Sequence, residues 1–544
     1  MSGSTASDRG EMGAGLFGRQ PRGRAARYVL SALALFGIIA AAIAANSAIR
    51  ARAVRDPMDF LPRSTAIAVH LDVRPGSPAM ERAQSAWSRE DLGQLSRDAR
   101  EIAQRLLARL DLDIDLAAEA APWFGGELVA AVVPSDESPD TPMRESAVLV
   151  IRAADPEQAR RSVERAAAQV AKKRGWARAE VRRRAGRITV WGRQPGAARL
   201  ACAHRHGCVV IGSGDTVVNE CLLAAGRPGE RLADTPAFRE SFASRGAESL
   251  VTAYASVSKI ASLAPRELSG FGRRPFGRDR GRSSRGAAPP STGGIALALT
   301  LTPEPEGLRV WAGYREPHMQ RPKLPVEEMR RLAAVLPSTA SAYLLVADPQ
   351  ELLGLAYGFV LLRGLAGAGA LGPLAGLAAV PGVVPLGVRV PGPAMIGILP
   401  GEGDSPPAVI AAFPSSGVEK KPSWVTQPLF GKLLASSVIG GVLVVSSSEQ
   451  ALDQCRKASS DPRARLRPAP SADAEFEAWL LPPKLAPQLA WLEELRVAVR
   501  RSPKGMEAEA VLRAQPGKLL RGIAEGMRDA RPSSPRGSLA QVAR

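Results

Sequence analysis

Four residues of types that bind metal ions fall within a span of seven positions. The segment Cys202-Ala-His204-Arg-His206-Gly-Cys208 contains two thiols and two imidazoles, which are the ligands of many tetrahedral zinc sites. The same segment is typical of a β-hairpin with its loop at 205–207. Strand alternation would place Cys202 and His204 on one face and His206 at the tip, so four converging ligands would need a distorted hairpin. The segment therefore offers only weak candidates for metal ligands, namely Cys202, His204, His206 and Cys208. A disulfide between Cys202 and Cys208 is an alternative that the sequence does not decide.

A second segment resembles a nucleotide-binding turn. Residues 208–222, CVVIGSGDTVVNECL, run from an apolar stretch through Gly212-Ser-Gly214 into helical spacing. A dinucleotide-binding fingerprint needs a third glycine three residues after the second, so that the backbone can approach a pyrophosphate. Position 217 is Val. We therefore predict a strand, a turn and a helix here, and no bound nucleotide.

The second half of the chain contains a counterpart of this segment. VIGSGDTVVNECL (210–222) aligns with VVSSSEQALDQCR (444–456), and the offset of 234 positions also brings Cys221 onto Cys455. Both copies share a β-rich run, a serine cluster and a helix start. This pattern predicts an N-cap at Ser213 or Asp215 in the first copy and a capping box formed by Ser447 and Gln450 in the second. Cys221 and Cys455 are expected to be small buried residues.

The other chemistry-bearing residues have simpler explanations. His70 lies among alternating strand residues, and His318 lies in a proline-rich turn. The acidic residues at 136–140 and 402–404 lack the register of a calcium loop and are typical of solvated hairpin tips. No nucleophile elbow, phosphate loop or zinc-protease helix occurs in the sequence. We therefore expect no catalytic residue, no cofactor and no enzymatic activity.

Composition limits the class of partner. The chain has 544 residues and a mass of 57.3 kDa, which predicts two or more domains. Its formal charge of +19 would suit an anionic partner, but arginine, alanine, glycine and proline are enriched together, as in proteins from GC-rich bacterial genomes. Aromatic residues make up only 5%, so few rings are present to stack on bases. Nucleic acid is not expected as a partner.

Residues 28–49 predict a membrane anchor. This uncharged span of 22 residues (49 − 28 + 1) would be about 33 Å long as a helix, enough to cross a bilayer. Four arginines at 19–27 precede it and three at 50–55 follow it, and the latter are offset by Asp56 and Asp59. This modest bias favours a cytoplasmic N-terminus, an inner-membrane single pass and a periplasmic or other extracytoplasmic main part. The alternative is a cleaved signal peptide, with Ala42-Ile-Ala44 as its cleavage site.

A second apolar tract, 352–386, contains one charge, Arg363, and is repeatedly interrupted by glycine and proline. It predicts either a buried helix with an apolar loop or a flap over lipid or an apolar ligand.

The sequence after the anchor is repeated. LPRSTA at 61–66 and LPSTA at 336–340 each open a strand, and strand pairs around a proline and an acidic loop follow. The pattern predicts an α+β fold of two tandem, divergent units with largely antiparallel sheets and packed helices, behind the N-terminal transmembrane helix. The expected boundaries are a disordered N-terminus (1–27), the anchor (28–49), a linker (50–60), the first unit (61–320), the second unit (321–526) and a disordered tail (527–544). An arginine-rich insertion at 266–290 interrupts the first unit.

Three stretches carry a resemblance to a known family. They are FLPRSTAIAVHLDV (60–73), Trp123-Phe-Gly-Gly-Glu127, and the segment ending near Cys221. Over roughly residues 60 to 260 the chain resembles a family of bacterial envelope proteins described only as a domain of unknown function. The resemblance implies no catalytic residue or cofactor. The expected role is therefore a non-catalytic binding or structural protein of the envelope, with a carrier or sensor of an apolar, lipid-like ligand as the alternative. The expected partners are the lipid bilayer, and envelope proteins or anionic envelope polymers.

Overall fold

The chain folds as a largely antiparallel sheet with packed helices, which is an α+β architecture. The computed structural model describes residues 55–94, 96–97, 119–135, 144–193, 198–242, 246–263, 296–315, 324–348, 392–401, 407–415, 435–467, 474–481, 492–502 and 505–514. The expected anchor (28–49), the arginine-rich insertion, the 352–386 tract and both expected disordered ends lie outside these residues. Within them, no helix combines the length and apolar character that a membrane crossing requires.

The strands of the first half of the sheet are β1 to β10. Their bounds are Ile67–Asp72, Phe124–Ser135, Arg144–Ala153, Ala177–Arg183, Gly186–Gly192, Ala198–Arg205, Cys208–Gly212, Val251–Ser256, Ala296–Glu304 and Gly307–Arg315. The second half contains β11 to β18. Their bounds are Ala342–Val346, Ala394–Leu399, Ala408–Pro414, Ala435–Ile439, Val442–Ser446, Phe476–Leu480, Leu492–Ser502 and Gly505–Ala514.

In the described part of the chain, the helices whose bounds are defined are the α-helices α1 to α7 and three short 3-10 helices. The α-helices are Pro78–Ala86, Pro156–Arg174, Asp215–Gly226, Pro236–Phe242, Val257–Leu263, Val326–Ala334 and Glu449–Ser460, and the 3-10 helices are Pro57–Phe60, Leu232–Asp234 and Pro462–Ala464.

Helix α2 begins and ends where its sequence predicts. Asp155 is the N-cap, and its carboxylate accepts hydrogen bonds from the backbone N–H groups of Glu157 and Gln158, both at 3.0 Å. Pro156 occupies the first turn, and Gly175 ends the helix in the left-handed conformation with φ 65°. Local capping chemistry therefore determines this element without help from distant residues.

Substitution of Asp155 by alanine is expected to lower the free energy of unfolding by about 1 kcal/mol, because two N–H groups of the first turn lose their acceptor. Urea unfolding followed by circular dichroism measures the effect. Asp155→Asn, which keeps a side-chain acceptor, should recover most of the loss. Equal losses in the two variants would show that the side-chain hydrogen-bond acceptor at position 155 contributes little.

The eighteen described strands belong to one sheet, and every pairing between them is antiparallel. The pairings give the spatial order β4-β5-β6-β7-β3-β2-β1-β8-β9-β10-β18-β17-β16-β11-β12-β13-β15-β14. The order β6-β7-β3-β2-β1-β8-β9-β10 of the first half is repeated as β14-β15-β13-β12-β11-β16-β17-β18 in the second. We call β1 to β10 with their helices the first unit, and β11 to β18 with theirs the second unit.

Equivalent contacts at the end of α3 and α7 mark the repeat. The guanidinium of Arg231 donates to carbonyl oxygens of the last turn of α3 at 3.3 and 3.2 Å, and that of Arg465 does the same for α7 at 2.9 Å. The two arginines are 234 positions apart (465 − 231), which is also the separation of Cys221 and Cys455. The helix ends are therefore held in the same way in both units.

The units are joined by the pairing of β10 with β18, which occupy equivalent positions in the repeated order. Trp311 pairs with Glu509 near the middle of this ladder. Because the strands are antiparallel and equivalent, a local twofold axis passes close to this pair. Long-range pairing of two equivalent edges thus converts two sequence repeats into one continuous sheet.

The two faces of the sheet carry different helices. In the first unit α3 and the 3-10 helix Pro57–Phe60 pack on one face, around Val129, Val150 and Cys221. Helices α1 and α2 pack on the other face. In the second unit α6 and α7 cover the face that corresponds to α3. No described helix of the second unit covers its opposite face.

Candidate functional site

The metal candidates of the 202–208 hairpin do not converge. The hairpin forms as the sequence predicts, with His206 and Gly207 at its tip in left-handed conformations. Cys202 packs beneath α2, whereas Cys208 belongs to the cluster on the opposite face of the sheet. All four cysteines are buried and free. The disulfide that the sequence left open is therefore not formed, because strand alternation directs the two thiols to opposite faces.

Burial makes these thiols poor nucleophiles. It raises the pKa of Cys202, Cys208 and Cys455 to about 12, from an ordinary value of 9.0, and it also raises the pKa of Cys221. His204 lies between Cys202 and the hairpin tip, and burial lowers the pKa of its imidazole. The arrangement is that of a packed core, with neutral thiols and a neutral histidine.

The native thiols are expected to resist alkylation. At pH 8 iodoacetamide should label none of the four cysteines in the folded chain and all four in 6 M guanidinium, because the reagent needs an exposed thiolate. Mass spectrometry counts the adducts. Rapid labelling of Cys202 or Cys208 under native conditions would contradict the buried placement.

The Gly-Ser-Gly turn serves the sheet. The predicted order of a strand, a turn and a helix is confirmed. The predicted N-caps are wrong, because the N-cap residues are Gly214 for α3 and Ser448 for α7, and neither makes a side-chain capping hydrogen bond. Ser213 accepts instead from the N–H of Ala147 at 3.1 Å, and Ser447 accepts from the N–H of Val409 at 3.0 Å. The two serines tie the turn to the neighbouring strand in both units.

Gly212 is explained by packing. A Cβ at this position would come within 2.8 Å of the side chains of Val217 and Val218, so the glycine allows α3 to begin directly against its own strand. Asp215, in the first turn of α3, forms an ion pair with Arg183 at 2.5 Å. This ion pair links the first turn of α3 to β4.

A cluster of charged side chains surrounds Glu127, whose side chain is fully buried. Its Oε1 lies 2.9 Å from Nε2 of His70. Its Oε2 accepts from Nε of Arg152 at 2.5 Å, and the guanidinium of Arg74 lies 3.5 Å away. Asp72 binds Arg74 through two side-chain hydrogen bonds of 2.8 and 2.6 Å. The adjacent ends of the interior strands β1, β2 and β3 thus bring two acids, two arginines and a histidine together.

A third acid completes the cluster. Asp56 precedes the 3-10 helix Pro57–Phe60, and its Oδ1 accepts from the N–H of Met58 at 2.8 Å. Ligand atoms of Asp56, His70 and Glu127 all lie within 4.8 Å of one another. Among the described residues this is the group whose geometry could hold a metal ion.

The cluster shifts the pKa of its members in opposite directions. Burial alone would lower the pKa of His70, but Glu127 raises it by hydrogen bonding and by charge, and the net pKa lies above 6.5. The pKa of Asp56 is raised, first by desolvation and then by Glu127, although its side chain reaches solvent. Burial would raise the pKa of Asp72, but its hydrogen bonds from Arg74 lower it below 3.8. Glu127 therefore stabilises the protonated form of His70, and Arg74 stabilises the ionised form of Asp72.

The sequence pattern alone does not predict this cluster. His70 lies among alternating strand residues, and Glu127 lies 57 positions later, beside Trp123 and Phe124. A signal was present, because Glu127 and Arg152 each interrupt an apolar strand, as in GGELVAAVV and AVLVIRA. Charges inside such runs indicate a buried ion pair.

The second unit has its own buried glutamate. Glu477 of β16 accepts from the hydroxyl of Tyr343 at 2.8 Å and from Arg496 at 2.8 and 2.7 Å. Burial and then Glu477 raise the pKa of Tyr343. Within the part of the chain that the structure describes, Glu477 belongs to no group of three metal-ligand side chains, so this ion pair is not a copy of the Glu127 cluster.

A shallow cavity of about 390 Å³ lies where the units meet, lined by the β9–β10 turn, β17 and β18. Its charges are paired: Arg513 binds Glu306 and Glu494, each at 2.9 Å, and Arg309 binds Glu304 at 3.1 Å. The pair between Arg513 and Glu306 links the two units. Because its charges are paired, the cavity does not offer an unpaired basic surface to an anion.

The comparison with known families decides the relationship of the chain. The family model described as Protein of unknown function (DUF3352) matches residues 28–344, which is more than half of the chain. The chain belongs to the DUF3352 family. No curated protein matches its sequence.

Two solved structures are similar to this DUF3352 protein at low identity. They are described as crystal forms III and I of TP0453, with 12% and 10% identity. The matches cover 52% and 50% of this chain and 87% and 82% of the other, each with a TM-score of 0.24. A likeness at this TM-score carries no argument about function.

Proposed function

We propose that this DUF3352 protein is a membrane-anchored binding protein of the bacterial envelope that acts without catalysis. Residues 28–49 would hold it in the inner membrane, with the N-terminus cytoplasmic and both units outside. The uncharged span and the arginines before it support this arrangement. Asp56 lies seven positions after Ile49 (56 − 49), so the part of the first unit that carries Asp56 would lie within about 25 Å of the bilayer.

The binding surface is the outer face of the second unit, which we define as the side of the sheet opposite α6 and α7. It is formed by alternate apolar residues of neighbouring strands: Leu344, Ile396, Ile398, Val409, Phe413 and Val438. Val409 is 45% exposed and Val438 is 63% exposed, and these are the large apolar residues that stand out as exposed in the described chain. The exposure of Val409 and Val438 on this face is the observation that carries the proposal, because exposed apolar side chains can mark a binding site; the other four residues are partly buried.

The corresponding face of the first unit explains why this one needs a partner. Val69 occupies the position equivalent to Leu344, and helices α1 and α2 pack on that side of the first unit. No described helix does so in the second unit. The exposed valines therefore retain apolar area that binding could remove from water.

The occupant that we propose is a lipid, which makes the protein a carrier or sensor of a lipid-like ligand. A short tether to the bilayer gives access to acyl chains, and an aliphatic face suits them better than a sugar or a base would, since those are bound by hydrogen bonds or stacking rings. The 352–386 tract joins β11 to β12, so the competing occupant is the chain itself.

Native mass spectrometry with lipid extraction tests the proposal on the full chain, purified from a bacterial envelope in mild detergent. One lipid per chain is expected, lost in the double variant Val409→Asp/Val438→Asp and retained in Val409→Leu/Val438→Leu. Thermal unfolding of both variants shows whether each is folded. A protein mass without lipid in the wild type, or equal lipid content in both variants, would overturn the lipid as occupant and leave the tract as the cover.

A further inference from the structure

The Asp56, His70 and Glu127 side chains form a donor set that the binding function does not use. They come from three elements, namely the start of a 3-10 helix, β1 and β2, and their ligand atoms lie within 4.8 Å of one another. Imidazole nitrogen and carboxylate oxygen are donor types that bind zinc and other divalent transition-metal ions. We infer that this cluster is a binding site for a divalent transition-metal ion of the zinc type.

Two of the three ligands are already at the separation that coordination requires. Atoms bound to one zinc ion at about 2.0–2.1 Å lie roughly 3 Å apart, depending on geometry. Nε2 of His70 and Oε1 of Glu127 are 2.9 Å apart. Asp56 is the more distant ligand, and its exposed side chain can approach from solvent, which also provides the path for the ion.

Outer contacts hold Glu127 in the orientation that the site needs. Arg152 and Arg74 occupy its Oε2, so Oε1 is the oxygen that faces His70. Asp72 fixes Arg74 in turn. Metal ligands in proteins are characteristically oriented by such second contacts.

The charge of the cluster favours a cation. Asp56, Asp72 and Glu127 supply three carboxylates against the two guanidinium groups of Arg74 and Arg152, which leaves one carboxylate in excess (3 − 2). A divalent cation bound between these side chains would be attracted by that excess negative charge.

The second unit acts as an internal comparison. Ala66 donates to Val132 across β1 and β2, and Ser341 donates in the same way to Ile398, so positions can be matched by counting along the strands. His70 then corresponds to Leu345, and Glu127 to Pro393. The donor set therefore belongs to the first unit alone, in the part nearest the expected anchor, and is not a general requirement of the repeated sheet.

Equilibrium dialysis and isothermal titration with Zn²⁺ test the inference. The full chain is purified without a polyhistidine tag, in mild detergent, and stripped with chelator. One Zn²⁺ per chain is expected, with a rise in the unfolding temperature on binding. Asp56→Asn and His70→Gln should each weaken binding by at least about 100-fold, since loss of outer contacts alone costs 10–100-fold.

Asp59→Asn is the matched control. Asp59 lies three residues after Asp56, within the 3-10 helix that Asp56 precedes. Its carboxylate pairs with Arg231 at 3.0 Å. This variant should bind Zn²⁺ as the wild type does. Absence of binding in the folded wild type, or equal affinity in Asp56→Asn and Asp59→Asn, would overturn the site. Because Asp56 is exposed, its variant decides the question even if His70→Gln fails to fold.

Discussion

Substitution of Glu127 by leucine is expected to lower the free energy of unfolding by about 3–5 kcal/mol, because it removes one partner of a buried ion pair and leaves the others in place. Glu127 is fully buried, and Arg152 is only 12% exposed. Without the carboxylate, the guanidinium of Arg152 and the imidazole of His70 would lose their acceptor in a largely buried site. Urea unfolding followed by tryptophan fluorescence measures the loss.

Glu157→Leu is the control for this experiment. Glu157 also pairs with an arginine, Arg160, but its side chain is 72% exposed. This substitution should leave the free energy of unfolding unchanged within error, because water replaces the lost partner. The double variant Glu127→Leu/Arg152→Leu should recover part of the loss, since both members of the pair are then apolar. If Glu127→Leu is as mild as Glu157→Leu, the cluster contributes nothing to the fold.

The elements that the sequence predicts well are those whose signals are local. Helix α2 carries its cap, its proline and its terminal glycine within about twenty residues, and the hairpin turn at 206–207 is equally local. The repeat was visible because Cys221 and Cys455 lie at a constant offset from matching neighbours. Such patterns need no knowledge of distant contacts.

The elements that it predicts poorly depend on contacts between distant positions. His70 and Glu127 are 57 positions apart, and only the register of β1 on β2 brings them together. The serines of the two turns were interpreted as caps because a serine before a helix has that local preference. In the fold each hydroxyl is within reach of a strand N–H, and this tertiary contact takes precedence.

The same reasoning explains why the joined sheet was not anticipated. The sequence predicts two tandem units, but nothing in β10 or β18 alone indicates that they pair with each other. Both strands are alternating and partly polar, as edge strands often are. Pairing of the two edges satisfies backbone groups that two separate units would leave exposed.

Substitution of Gly307 by alanine is expected to weaken this junction. Gly307 begins β10 with φ 150°, and a Cβ there would lie 2.0 Å from the carbonyl oxygen of Leu512 in β18. The strands must separate locally to admit a methyl group, so we expect a loss of about 3–5 kcal/mol from backbone strain and steric overlap together. Hydrogen exchange should accelerate in β10 and β18 before it does so elsewhere.

Gly186→Ala separates the two causes. Gly186 begins β5 with φ 138°, close to that of Gly307, but a Cβ there would meet nothing within 4 Å. Its loss should be about 1–2 kcal/mol, from strain alone. A larger loss and faster exchange for Gly307→Ala than for Gly186→Ala would assign the difference to the contact between β10 and β18. Equal effects would mean that the ladder tolerates the methyl group, and that the two units are held together elsewhere, for example by the ion pairs of Arg513.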